Sequence, residues 1–488
     1  MAAPDEPEPQ LPIKLHPCSN GEFVPPPASP VVRETMRRTR ALADEHARYL
    51  GMSRRGFLQG LCGSALTLTT LAACASDDSA ARGDGEPGGS FEVPPEATTD
   101  PDAAAEALAG DEFIMDVQNH LLEYDPRYGT GDQQLFGAAF PQSNCDAADP
   151  RDCYSIERYL DLVFLESDTS LAVLSAVPIV AEASPLSVEV MEDTRRVLTA
   201  VCGDDRILIH GQAFPSLDRP EAAFDAMRET AAAHDLGAWK LYTHSPVEVG
   251  FFLDDRDPSA PQVGEDYIRT VAEIGPPIIA VHKGFGAGSP FASPIDIGPA
   301  AAAHDDVSFV VYHSGFEASV AEGPYDAADP QGVDRLIASA EQAGIGPGGN
   351  VYAELGSTWR TLMGDPDAAA HVLGKLLVAF GEDNVVWGTD SIWYGSPQDQ
   401  IQAFRAFQIS EEYQERFGYP ALTDEVKAKI LGLTSARLYD VEPETVPCEF
   451  SREELQTQRE ALPVSTGTLG PTTARALAAH IEAHGGMV

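Results

Sequence analysis

Positive charge is the scarcest property of this 488-residue chain. Its 32 Lys and Arg face 76 Asp and Glu, for a net charge of −44, and only six of the cations are Lys. So negative a chain repels phosphate backbones, which excludes nucleic acid as a partner. Long apolar runs are missing too. The stretch Gly60 to Ala73 is broken by Ser and Thr and falls short of the ~20 residues that span a bilayer as a helix. No Gly-rich phosphate fingerprint follows the first strand-like run, which counts against a nucleotide-binding sheet. What is abundant is core material: 43% of residues are hydrophobic, so a chain kept disordered by its charge is excluded.

The charge is unevenly placed. Residues 1–74 carry eight cations and seven acids, and residues 75–488 carry 24 cations against 69 acids. Near the boundary, Ser53-Arg54-Arg55-Gly56-Phe57-Leu58 precedes the apolar stretch, which closes on Leu71-Ala72-Ala73-Cys74. An arginine pair, a modest apolar run and a small-residue end form the layout of an export signal. The pattern resembles the twin-arginine signal, which passes proteins already folded, and its end resembles a lipoprotein processing box. The resemblance implies export to the periplasm or cell surface and membrane attachment through a lipidated Cys74. Roughly 50 residues precede the arginine pair, and Val31 to Leu50 among them has helical spacing.

The organisation expected is therefore an N-terminal extension and signal over 1–74, a flexible acidic linker over 75–110, one large domain over 111–440 and an extension over 441–488. Ser76 to Pro101 is Gly, Pro, Ser and acid with few large apolar residues, the composition of a tether. Cys145 and Cys153 bracket a short polar loop, where a disulfide fits an oxidising compartment, whereas Cys202 and Cys448 have no local partner. Pro471 to Gly485 reads as a short helix that packs on the domain, covers its mouth or reaches a second subunit of a homo-oligomer.

From Phe113 onward one theme repeats: a short apolar run, a polar residue at its end, then a helical stretch. The runs are Phe113–Val117, Leu171–Val177, Arg206–Ile209, Ala238–Tyr242, Pro277–Val281, Val307–Tyr312, Val351–Leu355 and Asn384–Gly388. Segments such as Glu221–His234, Asp334–Ala343 and Asp367–Phe380 between them have helical periodicity. Eight alternations predict the α/β class and a (β/α)8 TIM barrel, with an open doubly wound sheet as the competitor. The polar residues favour the barrel. Gln118 and His120 follow the first run, His210 ends the third, and Lys240 and His244 belong to the fourth. His282 ends the fifth, His313 the sixth, Glu354 lies on the seventh and Asp390 follows the eighth. In a barrel, carboxyl ends of strands converge on one mouth, where chemistry is done.

Asp116-Val117-Gln118-Asn119-His120, Val281-His282-Lys283-Gly284, Tyr312-His313-Ser314-Gly315, Trp387-Gly388-Thr389-Asp390-Ser391 and Ile430-Leu431-Gly432 through Ala436-Arg437-Leu438-Tyr439 resemble, in order and spacing, motifs of the amidohydrolase superfamily. The similarity is to its amidohydrolase-related branch, which includes aminocarboxymuconate-semialdehyde decarboxylase-like enzymes and lactone hydrolases. The resemblance implies one divalent ion, zinc in the first instance, held by His120, His282 and Asp390. Gln118 stands where the family carries His or Glu, and its amide oxygen is a weaker ligand, auxiliary at most.

The resemblance further implies a small-molecule substrate. As a hydrolase of an ester, lactone or amide, the enzyme uses a metal-activated water, Asp390 as its base and His313 as the acid or oxyanion partner. As a lyase, a decarboxylase or hydratase of aromatic or unsaturated acids, it uses the same constellation. A third reading, motivated by Gln118, is a catalytically weakened, surface-tethered binding protein. Lys240, His210, His244, Glu354 and Trp393 are the expected substrate-side residues, and Trp359 is expected in the pocket wall.

Overall fold

Parallel strands buried on both faces are made of continuous β-branched and apolar residues, and the eight runs obey that rule. The computed structural model describes residues 10–461 except 84, 124–144, 146–149, 179–183, 217–218, 245–248, 287 and 444–447. The helix expected over 471–485 lies outside the described residues. The strands are β1 (Gly89–Phe91), β2 (Met115–Asn119), β3 (Leu171–Leu174), β4 (Ile207–Gln212), β5 (Ala238–Tyr242), β6 (Ile278–His282), β7 (Ser308–Tyr312), β8 (Val351–Glu354), β9 (Val385–Val386) and β10 (Phe407–Ile409). Strands β2 to β9 form one sheet in sequence order, and each neighbouring pair is parallel.

The segment after β9 closes the ring on β2. Val117 N donates to Trp387 O at 3.0 Å, Asp390 N to Gln118 O at 3.0 Å and His120 N to Ser391 O at 2.6 Å. Asp116, buried in β2, pins the same segment by accepting from Thr389 N at 3.0 Å. Met115, Val117, Val173, Ala280, Val310 and Val386 fill one buried cluster, while Ile114, Ala172, Ile209 and Ile279 join the larger core. This is the (β/α)8 barrel, not the open sheet.

The N-terminal region is built onto the barrel. Helix α1 (Pro30–Tyr49) starts at Ser29, whose side chain accepts from Val32 N, with Pro30 at its first position. Helix α2 (Arg54–Leu58) is capped by Ser53, and α3 (Leu61–Arg82) ends at Gly83 with φ 82°. Ala43 and Ala47 of α1 and Ala65, Leu68 and Leu71 of α3 are buried, so the apolar stretch after the arginine pair is part of the core. Cys74 is buried inside α3. No helix among the described residues is long and apolar enough to cross a membrane.

The expectation of a flexible linker over 75–110 is corrected. Residues up to Arg82 complete α3, β1 pairs antiparallel with β10 through Gly89↔Ile409 and Phe91↔Phe407, and α4 (Pro101–Leu108) is capped by Asp100. Composition misleads here because a handful of apolar side chains suffices: Phe91, Val93, Ala97, Ala104 and Leu108 are all buried. The backbone bonds are supplied by a strand more than 300 residues away. Cys145 pairs with Cys153 as expected, and Cys202 pairs with Cys448, a partner invisible locally because 246 residues separate them.

If α3 is integral to the fold, Leu68→Ala, at a position with no exposed surface, lowers stability by about 2–5 kcal/mol. Urea unfolding of the full chain measures this, and an unchanged midpoint shows α3 detached in solution.

Candidate active site at the barrel mouth

Closing the barrel brings Gln118, His120, His282, His313, Glu354 and Asp390 together as buried groups, none exposed beyond 2%. Asp390 is at the centre. Its backbone is left-handed, with φ 56°, which lets the chain turn sharply after β9 and aim the carboxylate inward. Oδ1 accepts from Gln118 Nε2 at 3.1 Å and Trp393 Nε1 at 3.2 Å. Oδ2 accepts from Asn20 Nδ2 at 2.9 Å and Ser357 Oγ at 2.5 Å. Burial pushes this carboxyl up, but the contact with His120, the His313 charge and the Ser357 bond outweigh it and hold it well below the usual range.

The imidazoles are oriented by the backbone. His120 Nδ1 donates to Ser175 O at 2.6 Å and His313 Nδ1 to Gly356 O at 2.7 Å, so the Nε2 of each ring is left for the cavity. His120 Nε2 then faces Asp390 Oδ1 at 3.3 Å. Two acceptors so placed need a proton or a cation between them, and 3.3 Å is the spacing of two ligands about 2.0–2.1 Å from one tetrahedral ion. His282 Nε2 lies 2.9 Å from Glu22 Oε1, and His313 Nε2 is 4.0 Å from Glu22 Oε2. The ligand atoms of Glu22, His282 and His313 all fall within 4.8 Å of one another, a spacing that can hold a metal ion. Burial lowers the His282 and His313 pKa values, the direction that favours the unprotonated ring a metal requires.

Gln118, expected as an auxiliary oxygen ligand, presents nitrogen instead. Its Nε2 is 3.3 Å from His313 Nε2 as well as bonded to Asp390, and its buried Oε1 has no partner among the described residues. The reason is electrostatic: a buried carboxylate and a lone-pair nitrogen both attract the amide N–H. Glu354 is scaffold, accepting from His313 N at 2.9 Å and Gly356 N at 2.5 Å, and burial raises its pKa strongly. Gly388 leaves room for it, since a Cβ there would sit 1.7 Å from Glu354 Oε1.

The remaining expectations divide. Trp393 stacks on His120 with centroids 5.9 Å apart, and His244 approaches His282 at 4.7 Å, so both belong to the mouth. Lys240 is fully buried, with Nζ 3.8 Å from the Tyr312 ring centroid and 4.4 Å from that of Tyr242, and no hydrogen-bond partner among the described residues. His210, expected on the substrate side, is instead held at both ring nitrogens, Nδ1 by Ser175 Oγ at 2.9 Å and Nε2 by Tyr439 OH at 3.2 Å. Trp359 is core rather than pocket wall, buried with Nε1 donating to Gln400 O.

Sequence reasoning missed the N-terminal arm. Lys14 forms a buried ion pair with Asp399 at 2.9 Å, and the chain then runs over the mouth. Asn20 Nδ2 bridges Asp390 and Glu22 Oε2, at 2.9 and 2.6 Å, while Phe23 stacks on Phe285. The available signal is the alternation of Leu11, Ile13 and Leu15 followed by the turn pair Asn20-Gly21. Asn20, Glu22, Gln118, His120, Val177, Tyr242, Asp390 and Trp393 enclose a cavity of ≈ 10 Å³, room for one water or ion.

Comparison with known proteins gives a family match and distant structural likenesses. The family model described as Amidohydrolase matches residues 116–441. No curated protein matches the sequence. Among solved structures, the chain is similar to 5-carboxyvanillate decarboxylase from Sphingomonas paucimobilis, at 14% identity and TM-score 0.38 over 68% of this chain and 100% of that one. It is similar to 2,6-dihydroxybenzoate decarboxylase from Rhizobium, at 13% identity and TM-score 0.37 over 68% and 99%. An uncharacterized TIM-barrel protein from Bordetella bronchiseptica matches at 14% identity and TM-score 0.42 over 67% and 99%. With the family model covering two thirds of its length and its motifs at the mouth of an eight-stranded barrel, this chain belongs to the amidohydrolase family.

Proposed function

We propose that the protein is a metal-dependent lyase acting on a small carboxylic acid, a decarboxylase or hydratase of aromatic or unsaturated acids. The observation that carries the reading is the Glu22 carboxylate on His282, beside His313, at a mouth whose Lys240 ammonium has no bonded partner among the described residues. The site is built to receive a carboxylate. A divalent ion, zinc in the first instance, polarises the bound carboxylate when present. The resemblance assigns its ligands to His120, His282 and Asp390, while the ligand atoms grouped among the described residues are those of Glu22, His282 and His313.

The chain's own groups supply the rest. Lys240 offers positive charge in a low-dielectric barrel, and Tyr242 and His244 wall the carboxylate subsite. His313, its Nδ1 proton held by Gly356 O, presents Nε2 to the cavity, where it would take up a proton from water and pass it to the carbon that loses carbon dioxide. Asp390 is an anchor rather than a proton carrier, because four donors hold it ionised. A second reading, hydrolysis of an ester, lactone or amide, is favoured by the water-sized cavity between His120 and Asp390.

Residues 53–74 we read as a twin-arginine signal ending at a lipidated Cys74, a proposal that directs the protein to the periplasm or cell surface and whose cleavage step would remove the arm carrying Asn20 and Glu22. The two disulfides support an oxidising compartment.

Three measurements test these readings. His282→Ala and Asp390→Asn each lower bound divalent metal, counted per chain by elemental mass spectrometry, by about 10-fold or more. Carbon dioxide release from an aromatic acid panel supports the lyase, and ring opening of lactones without it supports the hydrolase. Unchanged metal content and no turnover in either panel leave only the binding protein.

Lys240 gives a pH signature. Burial lowers its pKa from 10.5 to about 7, against the raising charges of Glu22, Asp390 and Glu354. The unfolded chain then holds a proton that the folded chain lacks between pH 7 and 10.5, so this penalty is full below pH 7 and fades as pH rises through that window. Lys240→Met therefore stabilises the ligand-free chain most at pH 6 and not at all near pH 10.5, read from urea midpoints. A pH-independent difference shows that Lys240 is ion-paired. For export, intact-mass measurement of the chain recovered from the native host finds Cys74 at the amino terminus, and a chain retaining Arg54 and Arg55 ends that reading.

A further inference from the structure

We infer that residues 16–23 are a displaceable flap, with Glu22 as an internal ligand that occupies the carboxylate subsite until a substrate takes its place. The inference rests on the carboxylate-substrate reading for what displaces the flap, and on geometry alone for the flap itself.

The flap is fixed at both ends and, between them, buries Cys18, Ser19 and Asn20, with the Cys18 thiol donating to Trp393 O at 3.8 Å. On one side the Lys14–Asp399 pair and buried Leu11, Ile13 and Leu15 anchor the chain. On the other, Pro25-Pro26-Pro27 leads into α1, which is packed on α3. Proline runs are extended and stiff, so the second anchor cannot simply slacken. Gly21, with φ 96°, forms the tip, and Gly21 N donating to Ser19 Oγ and Glu22 N to Asn20 Oδ1 make it a self-bonded turn. Such a turn can leave as a unit without orphaning its own backbone.

What holds it over the mouth is polar and specific. Glu22 reaches His282, Asn20 reaches Asp390, and Arg360 Nη2 donates to His16 O at 3.0 Å. Phe23 contributes one stacked ring, 4.8 Å from Phe285. With the flap closed the cavity beneath has ≈ 10 Å³, far below the several hundred Å³ of a small-molecule site, so no organic substrate coexists with it. The bonds that close the flap are the ones a substrate carboxylate makes with the same imidazoles. Substrate entry and flap closure are therefore mutually exclusive, and the uncleaved chain, which retains residues 16–23, is self-inhibited at rest.

Cys18 supplies a reporter on the flap, because its thiol is buried and outside any disulfide, while Cys62 and Cys74, equally buried in α3, report wider unfolding. The zinc-loaded full chain is alkylated with iodoacetamide and each cysteine is read by peptide mass spectrometry. Glu22→Gln removes the charge from the closing contact and raises the Cys18 rate about 10-fold, the weight of one charge-assisted hydrogen bond, leaving Cys62 and Cys74 unchanged. Asn20→Ala shifts it in the same direction. Benzoate, as a carboxylate probe, raises Cys18 labelling of the wild-type chain and adds nothing to Glu22→Gln. A Glu22→Gln chain whose Cys18 stays as protected as Cys62 and Cys74 overturns the flap, as does benzoate that quenches tryptophan fluorescence of the wild-type chain without exposing Cys18. If Glu22→Gln exposes Cys18 but benzoate has no effect on either chain, the flap stands and the carboxylate-substrate reading is the one that fails.

Discussion

A carboxylate stripped of water stays ionised only if other dipoles replace its hydration, and Asp390 is 1% exposed. Its replacements come from four parts of the chain: Gln118 on β2, Ser357 after β8, Trp393 in the loop after β9 and Asn20 from the arm. Each donor is therefore a constraint on the fold. Gln118 must point inward, the Ser357 backbone accepts a left-handed φ of 54°, and the loop after β9 turns through the strained Asp390 itself. Strain of this kind persists only where surrounding bonds over-determine it. His313 and Ser314 share the same left-handed geometry one strand away, so unfavourable backbone is concentrated where the chemistry is.

The same electrostatics explain why the mouth is closed by the protein's own chain. The mouth histidines and a buried lysine form a low-dielectric funnel, and the Asp390 and Glu354 carboxylates beside them are already engaged by donors. Glu22 brings another, and burial raises its pKa while the His313 charge opposes the rise. A carboxylate reaching in from outside the barrel is thus held by attraction to the funnel rather than by packing. The N-terminal helices serve the arm: α1 lies on α3, α3 on the segment leading to α4, and β1 on β10, which fixes where the arm departs.

The eight strands were legible because both-face burial writes itself as short apolar runs, and six of the predicted runs share their last residue with the observed strand to within two positions. His282, His313 and Asp390 were legible because a barrel converts a place in the sequence, the end of a strand, into a place in space. His210 shows the limit of that rule. It also belongs to a strand's polar end, yet its register opposite Ala238 at the start of β5 sets it where Ser175 and Tyr439 occupy both ring nitrogens. Register and ring environment are pairing facts, and a single strand does not carry them.

The sequence by itself determined the barrel, the family and the convergence of histidines and Asp390, because local periodicity and strand order are written in neighbouring residues. Tertiary structure alone decided the rest: that residues 75–110 are ordered, that Cys202 finds Cys448, that Gln118 offers nitrogen, and that Asn20 and Glu22 enter the mouth. Those outcomes depend on contacts between segments hundreds of residues apart. The scarcity of positive charge acquires a location as well. Of six lysines, one sits at the centre of the barrel without a hydrogen-bond partner among the described residues, where a single ammonium in a low dielectric attracts an anion far more strongly than it could at an acidic, hydrated surface.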